Sequence, residues 1–130
     1  MPRPESFVKR VEDVEPEAWS DARGRLSFHT LISGDLTPSE GLVAGVAIVE
    51  PGGELAAHAH APPEIYFALD GAALVTIAGV ERKVSAGAAV YIPSDAVHSI
   101  RNPFDRAFRI FYAFPADRFD AIEYKFAAGV

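Results

Sequence analysis

Short apolar runs, divided by Gly, Pro and Asp, make up most of the chain after Arg25. Such a pattern, with no long helical period, is typical of many short β-strands. We predict strands at Leu26–Ser33, Leu42–Val49, Glu54–Ala59, Glu64–Leu69, Ala73–Ile77, Glu81–Val84, Ala88–Ile92, Val97–Arg101 and Ala107–Phe114. So many short strands in one uninterrupted region favour an all-β sandwich or barrel.

Turn residues mark the breaks between these strands. Asp70-Gly71 and Ala78-Gly79 stand where tight hairpin turns are expected, because Gly reaches positive φ without strain. Pro51-Gly52-Gly53 and Pro93-Ser94-Asp95 are the other strong breaks. Near the N-terminus, Pro16–Trp19 suits the first turn of a short helix, with its Trp as a core anchor.

The chain is predicted to form a single domain over residues 1–130, with a metal-binding barrel core at about 26–114. Its 130 residues are close to the most common domain size, and 49% hydrophobic residues can fill a sizeable core. No repeat or linker divides it. After Pro115, we expect Asp117–Tyr124 to form a tail that covers the barrel mouth, either as a helical turn or as a strand.

Charge and hydropathy exclude several classes of partner. The formal net charge is −6 and no basic run is present, which argues against a nucleic-acid surface. No stretch approaches the ~18 apolar residues of a membrane span. Met1–Val14 also lacks the apolar core of a secretion signal. We therefore expect a cytoplasmic protein with neither a nucleic-acid nor a membrane partner.

Histidines and one glutamate form a pattern typical of a metal site. The chain has no Cys, so any metal must be held by nitrogen and oxygen ligands. His58 and His60 lie two residues apart on a predicted strand, so both side chains leave the same face. Glu64 follows after Pro62-Pro63, and His98 lies on a later strand. Three imidazoles and one carboxylate suit one divalent ion such as Fe, Mn, Ni, Co or Zn.

The alternative is that these histidines are ordinary surface or hydrogen-bonded groups. The same-face pair, the nearby Glu64 and the third histidine after a turn would then all be coincidences. His29 stands alone in the sequence, and we interpret it as a structural or rim residue.

Two segments resemble the conserved motifs of the cupin family. Gly52 to Gly71 match G-x5-H-x-H-x3-E-x6-G, and Gly87 to Asn102 match G-x5-P-x-G-x2-H-x3-N. Asp95 stands where the second motif has Gly, although Asp tolerates turn conformations. The resemblance implies a cupin jelly-roll β-barrel with the metal inside its wider mouth. It also implies turn roles for the motif glycines and Pro93, and a structural role for Asn102.

Tyr66 is a candidate for chemistry at this site. Strand alternation places it on the same face as Glu64, while Ile65, Phe67 and Leu69 pack outside. A phenol near a divalent cation has a lowered pKa, because the cation favours the phenolate. Tyr66 could ligate the metal, act as a general base, or only shape the pocket.

The whole chain is similar to the small single-domain cupin lyases that cleave dimethylsulfoniopropionate (DMSP). The similar segments are 51–55, 58–66 and 111–124, and generic cupins do not share the last. This resemblance places the ligands at His58, His60, Glu64 and His98. It places a catalytic Tyr at Tyr66 and a second pocket Tyr at Tyr124, which could instead only pack the tail.

The lyase resemblance implies a reaction on a small anionic or zwitterionic substrate. A Tyr-initiated β-elimination would release dimethyl sulfide and leave acrylate. Aromatic side chains, with Tyr124 and Tyr112 as candidates, could face the sulfonium cation. The family also suggests a homodimer.

Two other classes of function remain open at this point. One is a metal-dependent dioxygenase or isomerase acting on another small acid, for which iron dependence and oxygen uptake would mark the oxygenase. The other is a non-catalytic metal- or small-molecule-binding cupin, in which Tyr66→Phe would change little.

Overall fold

The computed structural model describes residues 4–126, so the ends of the predicted 1–130 domain lie outside the described residues. The described chain is almost entirely β-structure. Its strands are β1 (Glu17–Asp21), β2 (Gly24–Ile32), β3 (Val43–Val49), β4 (Glu54–Ala59), β5 (Glu64–Asp70), β6 (Ala72–Ile77), β7 (Val80–Ser85), β8 (Ala89–Ile92), β9 (His98–Arg101), β10 (Phe108–Phe114) and β11 (Lys125–Phe126). The predicted all-β class is confirmed, and the nine predicted strands correspond to β2–β10.

Short 3₁₀ turns at Val11–Asp13 and Phe119–Ala121 complete the regular structure of the described residues. Within residues 4–126, no helix has the length and apolar character needed to cross a membrane.

All the strands pair antiparallel and curl around one core. The order is β7-β6-β9-β4-β2-β3-β10-β5-β8, with β1 added to β2 and β11 added to β4. Alternation along β10 shows how the core forms: Phe108, Ile110, Tyr112 and Phe114 are buried, and the residues between them are partly exposed. The inward faces together form one apolar cluster that also supports the candidate site.

One glycine makes room for an aromatic side chain inside the barrel. Tyr112 on β10 lies opposite Gly45 on β3 and opposite Tyr66 on β5. A Cβ atom added to Gly45 would collide with the Tyr112 ring and with the backbone carbonyl of His29. The absence of a side chain at Gly45 therefore lets the Tyr112 phenol lie within the barrel.

The helix predicted to start at Pro16 is wrong, because residues from Glu17 onward form strand β1. This strand pairs with β2 through a tight turn, and the Asp21 carboxylate accepts a hydrogen bond from the backbone N–H of Arg23 at 2.8 Å. Trp19 is 7% exposed while its neighbours on β1 are exposed, so its predicted role as a core anchor is confirmed.

The predicted turns have different outcomes. Ala78-Gly79 does form the tight β6–β7 hairpin, with Ile77 paired to Val80 and positive φ at both turn residues. The hairpin predicted at Asp70-Gly71 is wrong, because β5 pairs with β10 and β8 whereas β6 pairs with β7 and β9. That turn instead carries the chain from one side of the barrel to the other.

Residues 115–126 form a segment that we call the C-terminal strap. It contains the second 3₁₀ turn and then β11, where Phe126 pairs with His58 on β4. Of the two alternatives for Asp117–Tyr124, the structure shows the helical turn, and the strand β11 follows only after Tyr124, against the strand that carries His58.

Candidate metal centre

Three histidines, His58, His60 and His98, form a buried group that we call the His cluster. His58 on β4 is the cross-strand partner of His98 on β9, and His60 follows directly after β4. Each of the three histidines is no more than 2% exposed. One ligand nitrogen from each histidine lies within 4.8 Å of the others.

Backbone carbonyls orient the three rings. In each ring, Nδ1 contacts the carbonyl oxygen of a residue two positions away, at 2.8 Å in His58 and His60 and 2.9 Å in His98. A carbonyl oxygen can only accept, so Nδ1 carries the hydrogen and Nε2 is the atom left to bind a ligand. The buried Nε2 of His98 has no hydrogen-bond partner. That orphaned nitrogen fits a metal ligand.

Glu64 adds a carboxylate to the His cluster. It is the first residue of β5 and is 7% exposed. Its Oε1 lies 3.1 Å from Nε2 of His60 and 3.4 Å from Nε2 of His98. The structure thus brings together all four residues that the sequence predicted as ligands. Their three nitrogens and one oxygen suit a borderline divalent cation.

The protonation states of the cluster are unequal. Burial, reinforced by His98, lowers the pKa of His58 to about 4. Burial alone would lower the pKa of His60, but the hydrogen bond and charge of Glu64 raise it above its ordinary value. Burial would raise the pKa of Glu64, but contacts with His60 and His98 lower it. These opposite shifts favour an ion pair between His60 and Glu64 when no metal separates them.

Both predicted tyrosines lie at the His cluster. Tyr66 is 3% exposed, faces inward from β5, and has its ring centroid 6.3 Å from that of His98. Burial, followed by the negative charge of Glu64, raises its pKa well above 10. Tyr124, from the strap, has its ring centroid 5.4 Å from that of His60 and 5.5 Å from that of His58.

A small cavity of about 20 Å³ joins these groups. His58, Glu64 and Tyr66 line it together with five other aromatic residues: Trp19, Phe28, Tyr112, Phe119 and Tyr124. Sequence reasoning named Tyr112 and Tyr124 for this pocket but missed Phe28 and Phe119, and assigned Trp19 only to the core. These side chains come from elements far apart in sequence, and no motif links them.

The remaining motif residues have structural roles. The Asn102 side chain donates hydrogen bonds to the backbone carbonyls of Val49 and Arg106 and accepts one from the N–H of Phe104. Asp95 has a φ of 63°, so it adopts the left-handed conformation expected of the motif Gly. His29 lies on β2, where alternation with buried Phe28 turns it away from the cavity.

Comparison with known families decides the assignment of this barrel. A sequence model of the cupin domain matches residues 45–114, which is more than half of the chain. The chain is a cupin. Over 130 residues it is 42% identical to dimethylsulfoniopropionate lyase DddW from Ruegeria pomeroyi, covering 98% of this cupin and 84% of that relative.

Solved structures support the same fold. The polyketide cyclase RemF from Streptomyces resistomycificus superposes with a TM-score of 0.81 at 18% identity, covering 95% of this cupin and 86% of that chain. DMSP lyase DddQ from Ruegeria pomeroyi DSS-3 gives a TM-score of 0.69 at 26% identity, covering 86% and 61% respectively. The cupin fold thus accompanies different activities, and the site must supply the argument for function.

Proposed function

We propose that this cupin is a metal-dependent lyase that cleaves DMSP to dimethyl sulfide and acrylate. One observation carries the proposal: Tyr66 shares a buried cavity with Glu64 and with His58 of the His cluster, in a chain 42% identical to a DMSP lyase. The reaction needs a base beside the substrate α-carbon and stabilisation for the negative charge that develops there. The cavity contains groups suited to both tasks.

His58, His60, Glu64 and His98 would hold the metal. The orphaned Nε2 of His98 and the buried carboxylate of Glu64 fit this role. When bound, a divalent cation supplies Lewis-acid attraction for the substrate carboxylate and for developing negative charge, and it lowers the pKa of a nearby phenol. In the protein without metal, the 3.1 Å contact between His60 and Glu64 holds the same arrangement.

Tyr66 moves the proton. Its Oη, as phenolate, takes the proton from the substrate α-carbon, and the electron pair of the C–H bond becomes the second bond between the α- and β-carbons. The bond from the β-carbon to sulfur then breaks, and sulfur leaves with that electron pair as neutral dimethyl sulfide. Acrylate remains, and Tyr66 later returns the proton to solvent.

Packing fixes Tyr66 for this step. Its strand is paired on both sides, with Tyr112 and Val90 opposite it on β10 and β8. The Tyr66 ring is therefore held within the barrel, where bulk water is excluded. Tyr124 packs against the His cluster from the strap and covers the cavity.

The test is product analysis with purified protein of measured metal content. We expect dimethyl sulfide and acrylate in equal amounts from DMSP, without oxygen uptake, and we expect a chelator to stop the reaction. His98→Ala should lower metal content and turnover, whereas His29→Ala, outside the cavity, should change neither. Folded, metal-containing protein that releases no dimethyl sulfide would reject the substrate. Oxygen consumption with another small acid would favour the oxygenase alternative.

A further inference from the structure

Five aromatic side chains pack together next to the His cluster, and Phe28 also contacts Phe119 at a centroid distance of 5.9 Å. Successive ring centroids are 4.8 to 6.4 Å apart around the circuit Trp19, Phe28, Tyr112, Phe119, Tyr124 and back to Trp19. All five side chains line the cavity that Glu64 and Tyr66 also line. We call this group the aromatic box.

Most of the box lies outside the part of the chain that matches the cupin domain. That match covers residues 45–114, and of the five box residues only Tyr112 falls within it. Trp19 belongs to β1, which pairs only with β2 among the described strands, and Phe119 and Tyr124 belong to the strap. The Phe119 N–H donates to the buried Ser33 hydroxyl at 2.8 Å, which fixes this part of the strap. Trp19, Phe119 and Tyr124 thus come from β1 and the strap, and they complete a box whose other two members, Phe28 and Tyr112, lie on the barrel strands β2 and β10.

The charges around the box favour a cation. Among the described residues that line the cavity, none is Lys or Arg, so no side-chain cation opposes a positive ligand there. A second carboxylate, Glu17, accepts the indole N–H of Trp19 at 3.0 Å. The Arg23 guanidinium lies 4.2 Å from the Trp19 ring centroid, so this ring already contacts one cation at the exposed surface. Aromatic faces attract cations electrostatically, and several rings around one site add their attraction.

We propose that the aromatic box binds the methylated cationic end of a small zwitterion, a sulfonium or quaternary ammonium group, and selects it by charge rather than by shape. The proposal rests on the proposed function, since DMSP carries such a group. It adds Trp19, Phe28 and Phe119 as residues that determine specificity. An uncharged tert-butyl group has nearly the same shape but lacks the cation–π attraction.

The Tyr124 end of the strap must move to admit such a group. The cavity of about 20 Å³ has room for a water molecule but not for three methyl groups. Trp19, Phe28 and Tyr112 lie on paired strands, whereas Tyr124 is held next to β11, which has only two residue pairs with β4. The Tyr124 side of the box therefore opens and then closes around the ligand, while the hydrogen bond from Phe119 to Ser33 holds the preceding part of the strap in place.

Two acids of equal shape test the selection by charge. Calorimetry on the metal-containing full chain would compare 3-(trimethylammonio)propanoate with 4,4-dimethylpentanoate, in which a carbon replaces the charged nitrogen. We expect the ammonium compound to bind at least about tenfold more tightly. Trp19→Leu and Phe119→Leu should reduce that ratio toward one, and Trp19→Phe, which keeps a ring, should retain most of it. Phe67→Leu, on the exposed outer face, is the matched control and should change nothing.

The outcomes separate this inference from the proposed function. Three results would overturn the aromatic box as a cation site, even if DMSP is cleaved. They are equal affinity for the two acids, no binding of either acid, and an unchanged affinity ratio in folded Trp19→Leu and Phe119→Leu proteins. Charge selection that disappears in both variants supports it, even in a protein that releases no dimethyl sulfide. The melting temperature of each variant shows whether it is folded.

Discussion

Two neighbouring histidines hold their protons very differently. The Nδ1 of His60 donates a hydrogen bond to the carbonyl of Pro62, and its Nε2 lies 3.1 Å from Oε1 of Glu64. Because both partners are acceptors, both ring nitrogens of His60 carry hydrogen in the protein without metal. His58 is buried and has a pKa of about 4, so it is neutral at pH 7. A metal that binds the cluster must displace the His60 proton, and metal uptake should therefore release a proton to the buffer.

The stability of the metal-free protein should fall in mild acid because of His58. Its pKa is about 4 in the folded chain and near 6.5 when unfolded, so between these values the unfolded state binds more protons. The contribution of His58 to the free energy of unfolding is complete above pH 6.5 and is lost as the pH falls toward 4. The loss is roughly 3 kcal/mol at most. The raised pKa of His60 gives the opposite pH dependence. Its contribution to the free energy of unfolding is complete below pH 6.5 and is lost at higher pH.

Urea unfolding of the chelated protein at pH 7 and pH 5 measures this effect. His58→Gln, which does not titrate, is the control and should lose less stability between the two pH values than the wild type. An equal loss in both proteins would show that another group causes the acid sensitivity.

Sequence alone could place Tyr66 beside Glu64 because a strand has a period of two, and both residues lie on β5. Alternation does not explain the histidines as well, since His60 lies just beyond the end of β4 and the motif spacing places His98. The same reasoning could not find Phe28 or Phe119 in the cavity. Their contact, with ring centroids 5.9 Å apart, joins β2 to the strap and depends on how the whole chain folds.

At the level of elements, the β5–β6 connection shows the limit of turn chemistry. Asp70-Gly71 and Ala78-Gly79 read alike in sequence, and both glycines have positive φ. Only Ala78-Gly79 closes a hairpin, because β6 finds its second partner in β9 rather than in β5. Which strands pair is decided by tertiary packing, as it also is for β1, where pairing with β2 overrides a local helix signal.

Gly71→Ala should destabilise the protein much more than Gly79→Ala. Both positions have a similar positive φ, so both substitutions carry backbone strain of about 1 kcal/mol. A Cβ at Gly71 would also collide with the backbone carbonyl of Ala107, whereas Gly79 has nothing within 4 Å. We expect a difference of about 2 kcal/mol or more in the free energy of unfolding, measured with urea. Equal losses would mean that the contact with Ala107 relaxes freely.

For the whole molecule, the outer face of β5 and β8 exposes several large apolar side chains. Ile65, Phe67 and Leu69 on β5 and Tyr91 on β8 are between 42% and 66% exposed, and Ile65 and Tyr91 are direct cross-strand neighbours. Large contiguous apolar patches on a soluble domain mark interaction surfaces. The homodimer expected from the sequence stays a prediction, and this face is where we expect two copies to meet.

Sedimentation over a range of protein concentrations tests that expectation. Phe67→Glu should shift the protein to monomer, because it would bury a charge in the interface. Val80→Glu, at an exposed apolar position on β7, is the control and should not. A wild-type protein that stays monomeric, or a Phe67→Glu protein that stays dimeric, would contradict the assignment of this face.

The most direct test of the proposed lyase mechanism is the turnover of DMSP by Tyr66→Phe. This change removes one oxygen and leaves the ring, strand β5 and the four proposed ligands in place. Loss of a general base should lower the release of dimethyl sulfide at least ~10²-fold, with metal content and melting temperature changed much less. Tyr124→Phe is the matched control and should cost less, because Tyr124 packs over the cluster. A Tyr66→Phe protein that keeps most of the wild-type rate would contradict the proposed mechanism.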